Sequence, residues 1–218
     1  IATDTPLVYV NGYGETLGWV SPPLQPRAKR HLAQARLVLD DEQRLSLART
    51  FVEGRLKNQR ALLNRLNRQK KNATTLKSLV EINRTIRKLC IADGVESLMG
   101  MEGSATARFW TGYKPLLETR YGFRKRLRRP EHVDPVNILL NLTASMLARD
   151  IGVAITRAGL HPGFGALHAT VDQRDSLVFD LMEEFRAPLS ESVVAKAINS
   201  HIVTPDMFSK TGDNIWRL

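Results

Sequence analysis

Apolar residues recur at helical spacing along most of the chain. From Glu42 to Arg68 they fall three or four residues apart, which predicts a long amphipathic helix. A second helix is predicted from about Thr75 to Cys90, so that the two form a helical hairpin turning near Asn72. Asp40 and Asp41 precede the first of these helices and are suited to cap its N-terminus.

The same spacing predicts further helices in the second half of the chain. They run from about Val95 to Tyr113, Pro135 to Ala158, Ser176 to Phe185 and Ser192 to His201. Gly159 stands where a helix C-terminus favours glycine, and Pro162 prevents the helix from continuing.

The N-terminal segment has a different pattern. Leu7 to Val10 and Thr16 to Val20 are predicted strands, and Asn11-Gly12 between them is a hairpin signal. Two strands cannot bury a face alone, so they dock on the rest or belong to a sheet that is largely missing. A linker is predicted at the prolines from Ser21 to Pro26. The fold class predicted is mainly α, with a β-hairpin and linker over residues 1–35 and a helical domain over residues 36–218.

The composition is that of an ordinary globular protein: 43% of the 218 residues are hydrophobic and 25% are charged. Intrinsic disorder and a collagen-like structure are therefore excluded. Cys90 is the single cysteine, which favours a reducing cytoplasm and gives no zinc-finger spacing. We expect no membrane span, because the apolar run from Val136 to Leu147 is short and charges follow it. Ile1 in place of Met suggests a fragment.

Positive charge is concentrated in two clusters. Between Arg55 and Lys88, eleven basic residues face one acid, Glu81, and this excess equals the net charge of +10 of the whole chain. A second cluster lies between Arg120 and Arg129. A solvated helix face is one interpretation, but an unmixed charge run repels itself, which favours a polyanion such as duplex DNA as the partner. The candidate phosphate contacts are Arg55, Lys57, Arg60, Arg65, Arg84, Arg87, Lys88, Arg124, Arg126 and Arg128.

Three places along the chain hold side chains that could do chemistry. Asp180, Glu183 and Glu184 project from neighbouring positions of one predicted helix and need a cation between them, either a metal ion or an arginine such as Arg186. His168 follows a glycine loop, and Glu102 lies between glycines in a helix of small residues. Each also has a structural interpretation: surface acids, a structural imidazole and a helix N-terminal carboxylate.

One histidine and two carboxylates from separate elements would make a metal site with open positions. Such a mixed nitrogen and oxygen set suits Mn²⁺ or Mg²⁺ better than Zn²⁺. Beside a basic surface, a site of this kind favours phosphodiester chemistry.

Four segments together resemble the CRISPR-associated integrase and endonuclease of spacer acquisition, the first-numbered Cas protein. They are Leu56–Leu63, Met101–Trp110, Asp134–Asn141 and Ala158–His168 continued by Ser176–Arg186. The resemblance implies a helical catalytic domain after an N-terminal β-domain, of which this chain holds the last hairpin. It also implies that Glu102, His168 and Glu183 bind Mg²⁺ or Mn²⁺, with Asp180 as a further catalytic acid nearby.

The function that the resemblance implies is insertion of short DNA segments into a CRISPR array by transesterification. The implied partners are prespacer and repeat DNA, a second copy of the chain and a small companion Cas protein. Some members of the family are fused to a reverse transcriptase, and a chain that starts within a domain is compatible with such a fusion. Two alternatives stay open: a general metal-dependent repair nuclease and a non-catalytic basic scaffold for nucleic acid.

Overall fold

A computed structural model describes residues 7–11, 16–20, 27–127, 134–210 and 216–217 of the chain. Its architecture is mainly helical with a small hairpin in front, which confirms the predicted fold class. The strands are β1 (Leu7–Val10), β2 (Thr16–Val20), β3 (Ser209–Lys210) and β4 (Trp216–Arg217), and the helices are α1 (Ala28–Leu39), α2 (Asp41–Lys70), α3 (Ala73–Lys88), α4 (Val95–Tyr113), α5 (Pro135–Arg157), α6 (Ser176–Phe185) and α7 (Ser192–Asn199).

The predicted N-terminal strands pair as an antiparallel hairpin. Leu7 lies opposite Val20, and the register shifts at a bulge between Tyr9 and Val10. The predicted Asn11-Gly12 turn runs into residues 12–15, which lie outside the described residues, as does the predicted linker from Ser21 to Pro26.

One helix was not predicted. α1 begins at Ala28, soon after the prolines of the predicted linker, and none of its residues is buried. The predicted domain boundary after residue 35 falls inside α1, and the division into two domains stays a prediction. Asp40 caps α2 as predicted, because its side chain accepts a hydrogen bond from the N–H of Gln43 at 3.0 Å.

The helical hairpin of α2 and α3 turns where the sequence predicts. Lys71 ends α2 in the left-handed conformation, with φ 46°. Asn72 then caps α3 by accepting from the Thr75 N–H at 3.1 Å, while its own N–H donates to Asn67 Oδ1 at 2.7 Å. These short polar contacts satisfy the ends of both helices and fix the two basic helices side by side.

The main core lies where α2, α3 and α4 meet. Leu56, Leu63, Ile82 and Phe109 are fully buried there and stabilise the three-helix contact through burial of apolar surface. α3 and α4 approach closely at Gly112, where an added Cβ would lie 2.8 Å from Ser78 Cβ.

α5 has the caps that its sequence indicates. Asp134 accepts from the Asn137 N–H at 2.9 Å, Pro135 occupies the first turn, and Gly159 follows the C-terminus with φ 69°. Of the described helices, α5 is long and apolar enough to cross a membrane by length and composition, at 23 residues with mean hydropathy 1.5. The apolar run expected from the sequence, Val136 to Leu147, covers only part of this helix. α5 packs against α6 and α7, and the expectation of no membrane partner stays a prediction.

α6 passes into α7 through a π-helical turn, Arg186–Glu191, that was not predicted. Pro188 has no N–H to donate, and in an α-helix its ring would crowd the carbonyl of Glu184, four residues earlier. That carbonyl instead accepts from Asn58 Nδ2 on α2 at 2.9 Å. The wider turn therefore anchors the end of α6 to α2 and directs Glu191 into the interior, where it is 3% exposed.

Candidate active site

A buried arginine joins two of the predicted ligands. Arg55 on α2 places its Nε 2.9 Å from Glu102 Oε1 on α4, and its Nη1 contacts Glu183 Oε2 on α6. The side chains of Arg55 and Glu183 are 5% and 7% exposed, and that of Glu102 is 20% exposed. A guanidinium offers donors in fixed directions, which suits it to bridge carboxylates from two helices. The structure therefore brings Glu102 and Glu183 to one cation.

A threonine completes the polar contacts around Glu102. Thr106 lies one turn after Glu102 on α4, and its hydroxyl donates to Glu102 Oε1 at 2.6 Å. The same hydroxyl accepts from Arg55 Nε at 3.1 Å and from Gln59 Nε2 at 3.4 Å. Sequence reasoning missed Thr106, because a single threonine in a helix carries no signal of its own.

Asp180 attaches the histidine loop, residues 163–168, to α6. Its fully buried carboxylate accepts the N–H groups of Ala166 (2.6 Å), Leu167 (3.0 Å) and His168 (2.9 Å). The same carboxylate lies 2.8 Å from His168 Nδ1. With three N–H groups directed at it, the carboxylate serves as an acceptor, which places the His168 proton on Nδ1 and leaves Nε2 free to bind another group. Asp180 is thus buried, not part of an acidic surface.

Glycine allows this loop to approach α6. A Cβ added to Gly165 would lie 2.7 Å from Ser176 Cβ and 3.0 Å from Asp180 Oδ2. Ser176 reinforces the contact, since its hydroxyl donates to the Ala169 carbonyl at 2.6 Å. The predicted role of the glycine loop, close approach of the backbone, is confirmed.

A second arginine and glutamate, the half-buried Arg186 and the buried Glu191, lie beside the site. Burial lowers the pKa of Arg186, against the charges of Glu191 and Glu102, which raise it. Burial likewise raises the pKa of Glu191, against the lowering effect of Arg55 and Arg186. Sequence reasoning offered Arg186 as the cation between the acids of α6, but the guanidinium that contacts Glu183 belongs to Arg55.

The donor chemistry around Arg55 fits the predicted metal. Two carboxylates already meet at a positive charge, and the anchored imidazole of His168 is attached to the same helix as Glu183. Oxygen ligands with one nitrogen suit Mg²⁺ or Mn²⁺. Over the described residues, no group of three His, Cys, Asp or Glu side chains is arranged to hold an ion. The convergence of Glu102, His168 and Glu183 on one ion stays a prediction.

The predicted phosphate contacts occupy different environments. Arg65, Arg84, Arg87, Lys88 and Arg124 are exposed, so their charges are available to a polyanion. Lys57 is also exposed and pairs with Glu53 at 2.6 Å, whereas Arg60 donates to Asn83 Oδ1 and Arg126 to Asn137 Oδ1.

Two predicted contacts differ from the rest. Arg128 lies outside the described residues. Arg55 is buried among acids and does not form part of the basic surface, which corrects its predicted phosphate contact. The sequence contained the signal, because Arg55 stands three residues after Val52 and four before Gln59, on the buried side of α2.

Solved structures place the fold of this chain in a defined class of helical proteins. A casposase bound to integration product superposes with TM-score 0.87 at 25% identity, covering 99% of this chain and 59% of that one. A Cas6-RT-Cas1–Cas2 complex superposes with TM-score 0.85 at 28% identity, covering 99% of this chain and 24% of that one. The class is that of Cas1-like helical domains.

The chain belongs to the family described as CRISPR associated protein Cas1, which it matches over residues 1–217. CRISPR-associated endonuclease Cas1 1 of Methanospirillum hungatei is 31% identical over 93% of this chain and 60% of its own length. CRISPR-associated endonuclease Cas1 1 of Archaeoglobus fulgidus is 32% identical over 97% of this chain and 68% of its own length. The chain thus spans about 60% of the first of these relatives, and the resemblance found in the sequence is confirmed.

Proposed function

We propose that the protein is a metal-dependent DNA integrase and endonuclease that inserts short DNA segments into a CRISPR array by transesterification. The relatives named Cas1 endonucleases and the casposase bound to integration product support the DNA-processing class. The observation that carries the proposal is the meeting of Glu102 and Glu183, from two helices, at the buried Arg55 guanidinium.

Three side chains would hold the ion, Mg²⁺ or Mn²⁺: Glu102, Glu183 and His168 through Nε2. When bound, the ion supplies Lewis-acid activation of the phosphate and of the attacking 3′-hydroxyl. Asp180 acts through His168, since it fixes the imidazole by Nδ1 and by the backbone of the loop. The chain holds the proposed ligands in half-buried to buried positions through Arg55 and Asp180, which limits their reorganisation during the reaction.

The exposed basic residues of α2 and α3 would bind the phosphates of DNA that enters this site. Arg65, Arg84 and Arg87 are exposed and lie in a segment where basic residues far outnumber acids. Positive charge of this kind favours contacts to the phosphate backbone of DNA over recognition of its bases. We propose a cytoplasmic complex containing two copies of the chain and the small companion Cas protein. The similar Cas6-RT-Cas1–Cas2 complexes support Cas partners and are compatible with a fused reverse transcriptase.

Strand transfer tests this function. The intact protein with its companion receives a short DNA with 3′-hydroxyl ends and a repeat-containing target, in Mg²⁺ or Mn²⁺. We expect Glu102→Ala and His168→Ala to reduce strand joining by about two orders of magnitude or more. His201→Ala is the matched control, because His201 is exposed at the end of α7 and has no proposed role in the reaction. DNA binding should persist in all three variants.

Other outcomes identify the alternatives. If hydrolysis continues while strand joining is absent in the intact complex, the repair nuclease is the better description. If both alanine variants retain every activity, the protein is a basic scaffold and the proposed site is wrong.

A further inference from the structure

Arg55 holds each carboxylate by one oxygen. Its Nε contacts Oε1 of Glu102, and its Nη1 contacts Oε2 of Glu183. A carboxylate has two oxygens with several lone pairs, so an acid that contacts Arg55 can still bind a second cation. Thr106 reinforces the arrangement by donating to the same Oε1 that Arg55 contacts.

The imidazole of His168 is held in the same way. Asp180 contacts Nδ1 of His168, so Nε2 is left to bind a metal ion. Each of the three predicted ligands is therefore held through one atom by an outer partner: Arg55 for both acids and Asp180 for the histidine. Metal ligands in proteins are commonly oriented by such outer contacts, and loss of an outer contact typically weakens metal binding by about 10–100-fold.

We propose that Arg55 is a positioning residue for the metal site: it holds Glu102 and Glu183 together, by one oxygen each, before the divalent ion binds. This inference rests on the proposed function. Without the guanidinium, the buried carboxylate of Glu183 on α6 and the half-buried carboxylate of Glu102 on α4 would repel each other and separate. A lysine would keep the positive charge, but its single ammonium lacks the planar fork that reaches both acids.

Binding of Mn²⁺ to the intact protein tests the proposal without any DNA reaction. Free Mn²⁺ is measured by electron paramagnetic resonance during titration of wild type and variants. We expect Arg55→Met to weaken Mn²⁺ binding about tenfold or more, and Arg55→Lys to weaken it less. The matched control is Arg49→Met on the same helix, because Arg49 donates to the carbonyls of Leu89 and Ala92 and contacts neither acid. The control should bind Mn²⁺ like wild type.

The outcomes separate this proposal from the proposed function. If Arg55→Met binds Mn²⁺ as tightly as wild type, or more tightly, the positioning role is wrong; tighter binding would mean that Arg55 competes with the ion. If wild type does not bind Mn²⁺, or if Glu102→Ala and His168→Ala bind it undiminished, the proposed metal site itself fails. Should Arg55→Met not fold by circular dichroism, Arg55→Lys decides, and undiminished Mn²⁺ binding by that variant overturns the proposal.

Discussion

At the scale of single residues, the role of a charged side chain depends on whether it points into the fold or towards solvent. Arg55 belongs to the basic run by sequence, yet it lies on the buried side of α2 and contacts acids. Glu191 is likewise a charged residue turned inward, by the π-helical turn that contains Pro188. A charged side chain inside the fold has consequences for stability that the same residue on the surface would not have.

Glu191 makes stability depend on pH. Burial raises its folded-state pKa above the ordinary 4.5, so stability is fully present below about that pH and is lost as the pH rises through the raised value. Glu191→Gln removes the ionisation. We therefore expect the variant to gain stability relative to wild type as the pH increases from 4.5 towards 8, by on the order of 1 kcal/mol. Urea unfolding at several pH values measures this difference.

Asp206 provides a control of opposite sign. A side-chain hydrogen bond from Thr204 lowers the pKa of Asp206, so its stabilising contribution is present above the unfolded pKa and is lost as the pH falls. Asp206→Asn should lower stability at neutral pH and have no effect in acid. A Glu191→Gln variant that is equally destabilised at every pH would show that the carboxylate is needed for its shape or contacts instead.

At the scale of elements, the sequence predicts most of the fold. The helices from α2 to α7 are found close to their predicted bounds, because apolar spacing, Asp and Asn caps and Gly159 all indicate the same limits. α1 was missed because Arg27 before it is not a capping residue type, and the π-helical turn because Pro188 is accommodated by a tertiary contact from Asn58.

Prediction of the candidate site is less complete for a physical reason. Residue chemistry singled out Glu102, His168, Asp180 and Glu183, and the structure joins them in two groups through Arg55 and within the histidine loop. Which positively charged or hydrogen-bonding side chain each acid contacts depends on how α2, α4 and α6 pack. Charge and spacing along one segment do not contain that information.

The approach of the histidine loop to α6 depends on Gly165. In Gly165→Ala the new Cβ would lie 2.7 Å from Ser176 Cβ and 2.9 Å from the Ser176 backbone, so the loop must shift. We expect a loss of about 1–3 kcal/mol in unfolding free energy, measured by urea denaturation. Gly100→Ala on α4 is the control, because no heavy atom lies within 4 Å of its added Cβ. That change should stabilise the helix by about 0.5–1 kcal/mol, and equal effects of both substitutions would contradict the packing argument.

At the scale of the whole molecule, the exposed basic residues and the candidate active site are separate features. The exposed charges of α3 lie on the outside of the helical hairpin, while Arg55 of α2 faces the interior. Binding of DNA and chemistry on DNA should therefore respond differently to mutation.

The salt dependence of DNA binding measures how many of the exposed basic residues contact phosphates. Arg84→Gln and Arg87→Gln should each weaken DNA binding and reduce the slope of log affinity against log salt by about one, because each would remove one of the proposed phosphate contacts. Arg36→Gln, an exposed change on α1 outside the predicted set, should leave the slope unchanged. Fluorescence anisotropy at several salt concentrations gives the slopes. Identical slopes for all variants would place the DNA on another surface.

The attachment of the histidine loop to Asp180 has a consequence for how the molecule opens. Residues 166–168 belong to no helix or strand, yet their three amide hydrogens point at one buried carboxylate. Those hydrogens can exchange with deuterium only when the loop detaches from α6. Their slow exchange would therefore report, in a single peptide, the release of His168 from its fixed orientation.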